Sequence, residues 1–383
     1  MLMSPHVSII IPMKNEELRI GRCLDSIAEG SYPMADCEVL IVDGGSTDRS
    51  CSIAESKLIQ FPFARLIHNP KKTLPAGLNM AVRLARGSYI IRMDAHCEYQ
   101  GDYIETCLAE LVRTGAANVG GLLITLPGKN TRIARCIAQI SQHPVCVGNS
   151  AFRLGVGNQF VDTVPFGAFR REVLDVVGLY REDLPRNQDY ELNARIRTAG
   201  YQIYLSSKLQ TKYYNSENLT RFIAQAKANG QGVARCWSVN PGSFSCRHVV
   251  PLLFVVMWLI LLTLSIFVHY VSIACIVCAS FYIAALMYAA IQIGLSSDLS
   301  LIMFVPVIIV IYHISYGVWT FVGALQIVTT MAAVRFGKVA NAVINCERAT
   351  IINATKLLSI LTKRLYWNDG YVCCKKYWQR GDR

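Results

Sequence analysis

At 383 residues, the chain is long enough for two or three domains. Its 14 cysteines are scattered, which argues against a disulfide framework or a zinc cluster, and no nucleic-acid-binding motif accompanies the formal net charge of +12. A wholly soluble protein is excluded, because between Arg247 and Arg335 the only formal charge is Asp298.

The N-terminal half alternates short β-branched runs with helical periodicity. Residues 7–12 (VSIIIP), 39–43 (VLIVD), 64–68 and 88–94 (SYIIRMD) read as strands. Residues 15–29 and 75–86 read as helices, and Ser46 or Thr47 is the expected N-cap of a helix after the second strand. The pattern is that of an α/β fold with consecutive crossovers. Ligands of open parallel sheets bind beyond the carboxyl ends of the strands. Asp43 and Asp94 are therefore expected to project into one pocket.

Residues 103–114 then read as a helix and 119–126 as a strand. Residues 127–163 carry many Gly, Asn and Arg with little periodicity, and read as a long functional loop. It is a candidate lid containing His143 and Arg153. Residues 165–174 read as a strand-to-helix unit, 189–199 as a helix and 201–205 as a last short strand. A basic amphipathic helix is expected over 220–237.

The apolar interval has room for two to four spans of about 20 residues, expected over 249–268, 272–293 and 299–321, with 322–331 extending the third or re-entering. The expected domains are 1–245 (cytosolic), 246–331 (transmembrane) and a basic amphipathic tail, 332–383. The first apolar run is too short for a signal peptide. The tail holds ten Lys/Arg against three Asp/Glu, a net +7 that favours the cytoplasmic face and anionic lipid. Three crossings would put it outside, so an even number is expected, with one apolar stretch re-entrant or interfacial.

Three segments carry chemistry. In residues 40–48 (LIVDGGSTD) the Asp43 carboxylate can accept an N–H from a nucleotide base, and the glycines allow close approach. In residues 92–96 (RMDAH), Asp94 and His96 at positions i and i+2 can hold one divalent cation, Mn²⁺ or Mg²⁺, against a diphosphate. In residues 187–195 (NQDYELNAR), Asp189 stands at a helix start whose dipole favours a carboxylate, which suits a general base. Glu191 and Arg195 are spaced for a helical ion pair.

These segments, with residues 7–16 (VSIIIPMKNE) and 74–94, resemble the family 2 inverting glycosyltransferases over residues 5–245. Residues 166–171 (FGAFRR), 182–190 and 313–317 (HISYG) are most similar to the succinoglycan-type membrane glycosyltransferases. The resemblance implies a GT-A fold with a Rossmann-like mixed sheet, followed by transmembrane helices. Pro12, Asn15, Glu16, Asp43 and Asp48 match the nucleotide-binding loops, with Lys71 a candidate beside the diphosphate. Asp94 and His96 match the metal-binding motif, and Asp189 the catalytic base. Two departures make the site less negative: His96 replaces the second carboxylate, and Gln188 replaces the acid before the base.

A third departure lies in residues 229–237 (NGQGVARCW), where Gln231, Arg235 and Trp237 depart from the spacing of processive synthases. Together with His143 and Arg153, these three are the candidate acceptor or diphosphate residues. The implied activity moves one sugar from a nucleotide-sugar, UDP-hexose favoured, to a hydroxyl of a lipid-linked oligosaccharide in exopolysaccharide or surface-glycan synthesis. The enzyme would be a multi-pass protein of the inner (plasma) membrane, with its catalytic domain cytoplasmic and membrane lipids as partners. A polyprenyl-phosphate sugar synthase and a catalytically silent sugar-nucleotide-binding scaffold are the alternatives.

Overall fold

The computed structural model describes residues 6–243 and 245–332. Its first half alternates strand and helix: β1 (Val7–Met13), α1 (Ile20–Ala28), β2 (Cys37–Asp43), α2 (Ser50–Lys57), β3 (Ala64–His68), α3 (Leu74–Leu84) and β4 (Tyr89–Arg92). These strands are parallel in the order β3-β2-β1-β4, so their carboxyl ends share one edge of the sheet. Met13 pairs with Asp43, and Asp43 with His68. Ile9, Ile11, Leu40, Ile41, Ile90 and Ile91 are fully buried. Burial on both faces explains why these strands read as continuous apolar runs.

The sheet then turns mixed. After β5 (Cys97–Tyr99), α4 (Tyr103–Thr114) and β6 (Asn118–Leu126) come α5 (Arg132–Ile140), α6 (Pro144–Val147), α7 (Ala151–Leu154) and β7 (Gln159–Phe160). Next are β8 (Ala168–Arg170), α8 (Arg171–Val177), α9 (Gln188–Thr198) and β9 (Ile203–Tyr214). The order continues β4-β8-β6-β9-β5, with β8 antiparallel to both β4 and β6, and β7 pairs β9.

Four expectations are corrected. The last strand is not short: instead of residues 201–205 it runs through the 12 residues of β9, held along β6 in a parallel pairing that passes a register shift. The first helix begins at Ile20 rather than at residue 15, because Asn15 takes a positive φ of 56° and starts a loop instead. Neither Ser46 nor Thr47 caps α2, which starts at Ser50; the Asp48 carboxylate receives the Ser50 backbone N–H at 3.0 Å. Residues 127–163 are not irregular, since they contain α5, α6, α7 and β7. Helix α5 buries Cys136, Ile137 and Ile140 in a cluster built mainly from apolar helices distant in sequence, so most of what covers its apolar face is not nearby in the chain.

Beyond α10 (Leu219–Val239) lie three helices long and apolar enough to cross a membrane: α11 (Cys246–Ser265), α12 (His269–Ser296) and α13 (Phe304–Ala332). Residues 322–331 continue α13. Helices α5 and α6 pack with α12 and α13 in one apolar cluster that includes Ile137, Ile140, Leu286, Ile293, Val305 and Ile309. Arg135 donates to Asp298 at 2.9 Å beside it. Contacts divide the chain after Ala324, and the described remainder is the end of α13. The expected basic tail lies outside the described residues apart from Ala332.

Candidate active site

The loops that follow β1 and β2 hold each other. Ser46 Oγ accepts the Asn15 N–H at 2.9 Å, and Asn15 Oδ1 accepts that of Thr47 at 2.8 Å. The Asp48 carboxylate receives N–H groups from Glu17 and Ser50, so it is occupied in joining the loops. Asp43 accepts from Gly45 and Ser46 backbone N–H groups, each at 3.0 Å. Burial opposes its ionisation, but the Ser46 and Gly45 hydrogen bonds outweigh this and hold its pKa below the ordinary value.

A cavity of about 720 Å³ lies over the carboxyl ends of β1 and β4. Pro12, Glu16, Lys72, Arg92, Asp94, His96, Arg153, Arg186 and Asp189 line it, as do Val42 and Gly44. Asp43 between them does not, because its carboxylate is turned to the Gly45 and Ser46 N–H groups. The expected pocket shared by Asp43 and Asp94 is thus corrected to one that holds Asp94 alone of the two. Asp94 and Asp189, far apart in sequence, meet in this one space. Helix α9 begins at Gln188 because Asn187 turns the chain with a φ of 61°. Glu191 and Arg195 form the expected ion pair at 2.9 Å. Arg195 also donates to the carbonyls of Gly178 and Leu179, which fixes α9 and the attitude of Asp189.

Arg92 reaches Asp94 through two bonds, Nε to Oδ1 at 2.7 Å and Nη2 to Oδ2 at 2.9 Å. Its Nη1 is buried with no hydrogen-bond partner. His96 Nδ1 lies 3.3 Å from Glu16 Oε1, and its ring packs edge-on to Tyr213. Among the described residues no group of three or more His, Cys, Asp or Glu could hold a metal. Asp94 and His96 nonetheless fit a divalent cation that takes its remaining oxygens from a diphosphate, because each Asp94 oxygen keeps a second lone pair.

The other expected residues are placed as follows. Lys71 Nζ pairs with Glu182 at 2.6 Å, and its neighbour Lys72 lines the cavity instead. Asn15 and Asp48 border a second cavity of about 730 Å³, which shares Lys14, Glu16 and His96 with the first. His143 binds Gln292 on α12 at 2.8 Å. On α10, Arg235 is exposed, Gln231 lies against Gly323, and Trp237 packs against a small cluster containing Tyr316. None of these three lines the first cavity.

Sequence reasoning passed over Arg92, Arg186, Tyr190, Arg247 and His248, which all line it. It passed over Pro251, Phe254, Tyr282 and Tyr312 as well, and gave no role to His313 of the HISYG segment; these residues are drawn from all three apolar helices. The only available signal was a polar or aromatic residue inside an apolar helix. Six Lys/Arg against three Asp/Glu give the lining an excess of positive charge, suited to phosphorylated ligands.

The profile described as Glycosyl transferase family 2 matches residues 8–178. The succinoglycan biosynthesis protein ExoA of Rhizobium meliloti is 31% identical over 246 residues, covering 64% of this chain and 74% of that protein. The chain belongs to glycosyltransferase family 2. It is therefore a glycosyltransferase, with a GT-A-type mixed sheet followed by three apolar helices. A second relative is the dolichyl N-acetyl-α-D-glucosaminyl phosphate 3-β-D-2,3-diacetamido-2,3-dideoxy-β-D-glucuronosyltransferase of Methanococcus voltae. It is 25% identical and covers 81% of this chain and 95% of its own length. The mannosyltransferase PcManGT of Pyrobaculum calidifontis, solved with GDP-Man and Mn²⁺, superposes with a TM-score of 0.54 at 18% identity. That superposition covers 83% of this chain and 88% of the mannosyltransferase, and it supports the fold.

Proposed function

We propose that the protein is an inverting glycosyltransferase that moves one sugar from a nucleotide-sugar, UDP-hexose favoured, to a hydroxyl of a lipid-linked glycan. The observation that carries this reading is that Asp189 shares one cavity with Asp94, His96 and residues of all three apolar helices. A sugar-nucleotide entering over β1 and β4 and a lipid-borne acceptor entering from the apolar helices would meet there. The relatives' names, exopolysaccharide synthesis in one and a dolichyl-linked acceptor in the other, agree with such an acceptor.

In the reaction, the Asp189 carboxylate takes the proton of the acceptor hydroxyl. The acceptor oxygen bonds to the anomeric carbon as the bond to the diphosphate oxygen breaks, and that electron pair leaves with the nucleotide. Attack from the opposite face inverts the centre, so an α-linked donor gives a β-glycoside. Arg92, Arg153, Arg186 and Lys72 place positive charge around the leaving diphosphate. Asp94 and His96 would hold a divalent cation, Mn²⁺ or Mg²⁺, which when bound neutralises further charge there. The catalytic domain would face the cytosol at the plasma membrane.

The test is a donor screen on detergent-solubilised protein, with and without membrane lipid extract. Lipid-dependent release of nucleotide from one donor, reduced about 10²–10⁴-fold in Asp189→Asn with donor affinity intact, is the expected result. Release that survives in the variant would indicate a phosphate acceptor, which needs no strong base. Binding without release from any donor would indicate a silent scaffold.

A further inference from the structure

We infer that α13, though long and apolar enough to span a membrane, lies in the membrane interface against the catalytic domain, so that the chain crosses an even number of times. The inference rests on the reading that the apolar helices meet a bilayer.

Helix α10 belongs to the catalytic domain. Asn229, midway along it, accepts from Arg186 at 2.7 Å and from Asn187 at 3.2 Å, beside Asp189. Helix α13 runs along α10. Tyr312 stacks on Phe222 with ring centroids 4.9 Å apart, and Tyr316 packs with Ala226 and Val233. At Gly230 a Cβ would come within 2.6 Å of the Tyr316 carbonyl, and at Gly323 within 3.0 Å of Ala234 Cβ. From Phe222 to Ala234 on one helix, and from Tyr312 to Gly323 on the other, the contact extends about 16–18 Å at 1.5 Å per residue.

A helix entering the membrane on its own would leave the domain behind within a turn or two. Instead, α13 stays on a helix that exposes Arg221, Lys227 and Arg235. Lys227 Nζ sits 3.7 Å from the ring centroid of Trp319, which stands midway along α13. In a crossing helix that pair would lie near the bilayer centre, where a lysine is strongly disfavoured. At the interface a tryptophan and a lysine are both favoured.

The cavity agrees. Tyr312, His313 and Tyr316 line it with Asp189 and Arg186, so α13 borders the same space as the catalytic residues. The opposite face of α13 exposes Val307, Ile314, Val318 and Phe321, an apolar stripe suited to the acyl boundary. Helices α11 and α12 differ, because only 6% and 22% of their most apolar windows are buried, against 33% for α13. They form the membrane-inserted hairpin. Laid in the interface, α13 places the reaction at headgroup level.

The residues after α13 contain no apolar run of about 20 residues, so the sidedness of the C-terminus reports on α13. The full chain, tagged with a different epitope at each end and shown to retain donor turnover, would be treated with protease in sealed inverted and right-side-out vesicles. Removal of both tags from the same face is the expected result. Removal of the two tags from opposite faces would overturn the inference. Removal of both only from right-side-out vesicles would uphold it while refuting the cytosolic placement of the catalytic domain.

Discussion

Arg92 holds both carboxylate oxygens of Asp94, at 2.7 and 2.9 Å, while its third nitrogen stays buried without a partner. Arg92 is only 4% exposed, and burial alone would disfavour its charge. The Asp94 carboxylate outweighs that effect and keeps the guanidinium ionised. Removing one member of a buried pair leaves the other charge uncompensated, at about 3–5 kcal/mol. Arg92→Met is therefore expected to lower the thermal midpoint markedly and to weaken donor binding, read by melting in detergent and by nucleotide titration. An unchanged midpoint would mean that Asp94 is solvated some other way.

Asp43 organises its loop through the N–H groups of Gly45 and Ser46. Asn in its place keeps one acceptor oxygen and loses the charge. Hydrogen bonds to charged groups contribute about 1.5–3 kcal/mol, so Asp43→Asn should weaken nucleotide affinity roughly tenfold or more by calorimetry. Turnover at saturating donor should change far less, because Asp43 does not line the cavity that holds Asp189.

Glu110 carries a buried carboxylate, its side chain 2% exposed, paired with Arg113 and with Lys208 at 2.9 Å. The Arg113 hydrogen bond, against burial and aided by Lys208, holds its pKa below the ordinary value. The folded pKa then lies below the unfolded one. The stabilisation is complete above the unfolded pKa of about 4.3 and is lost as pH falls through the folded value. Thermal midpoints should fall below about pH 4.3, and Glu110→Gln should flatten that part of the profile. A profile identical to that of the parent would refute the assignment.

If Asp94 and His96 share a cation with the donor diphosphate, Mn²⁺ should tighten nucleotide binding. His96→Ala should reduce that enhancement while leaving metal-free affinity within a few-fold. Equal enhancement in the variant would remove His96 from the donor set. The measurement is nucleotide affinity with and without Mn²⁺, independent of turnover.

Much of this protein was legible in its sequence because the signals are local. The β-branched runs of β1, β2, β3 and β4, the polar residues that end them, a helix close to the expected 189–199 and the three apolar stretches are all read within a few residues. The 127–163 segment failed as a sequence reading because α5 is amphipathic toward α12 and α13, more than a hundred residues away. Lys71 is the lysine expected beside the diphosphate, but the one that lines the cavity is Lys72, which stands at a positive φ of 54°, a backbone turn that the sequence does not announce.

The sequence by itself determined the strand-end aspartates, the helix-start aspartate and the family motif that joins them. Only the tertiary structure decided that Asp94, Asp189 and the aromatic residues of the apolar helices line one cavity. It also decided that a buried arginine occupies Asp94, and that α13 stays on α10. Hydrophobic periodicity identifies an apolar face but not what covers it. Whether such a face meets lipid or protein is fixed by packing between residues distant in the chain.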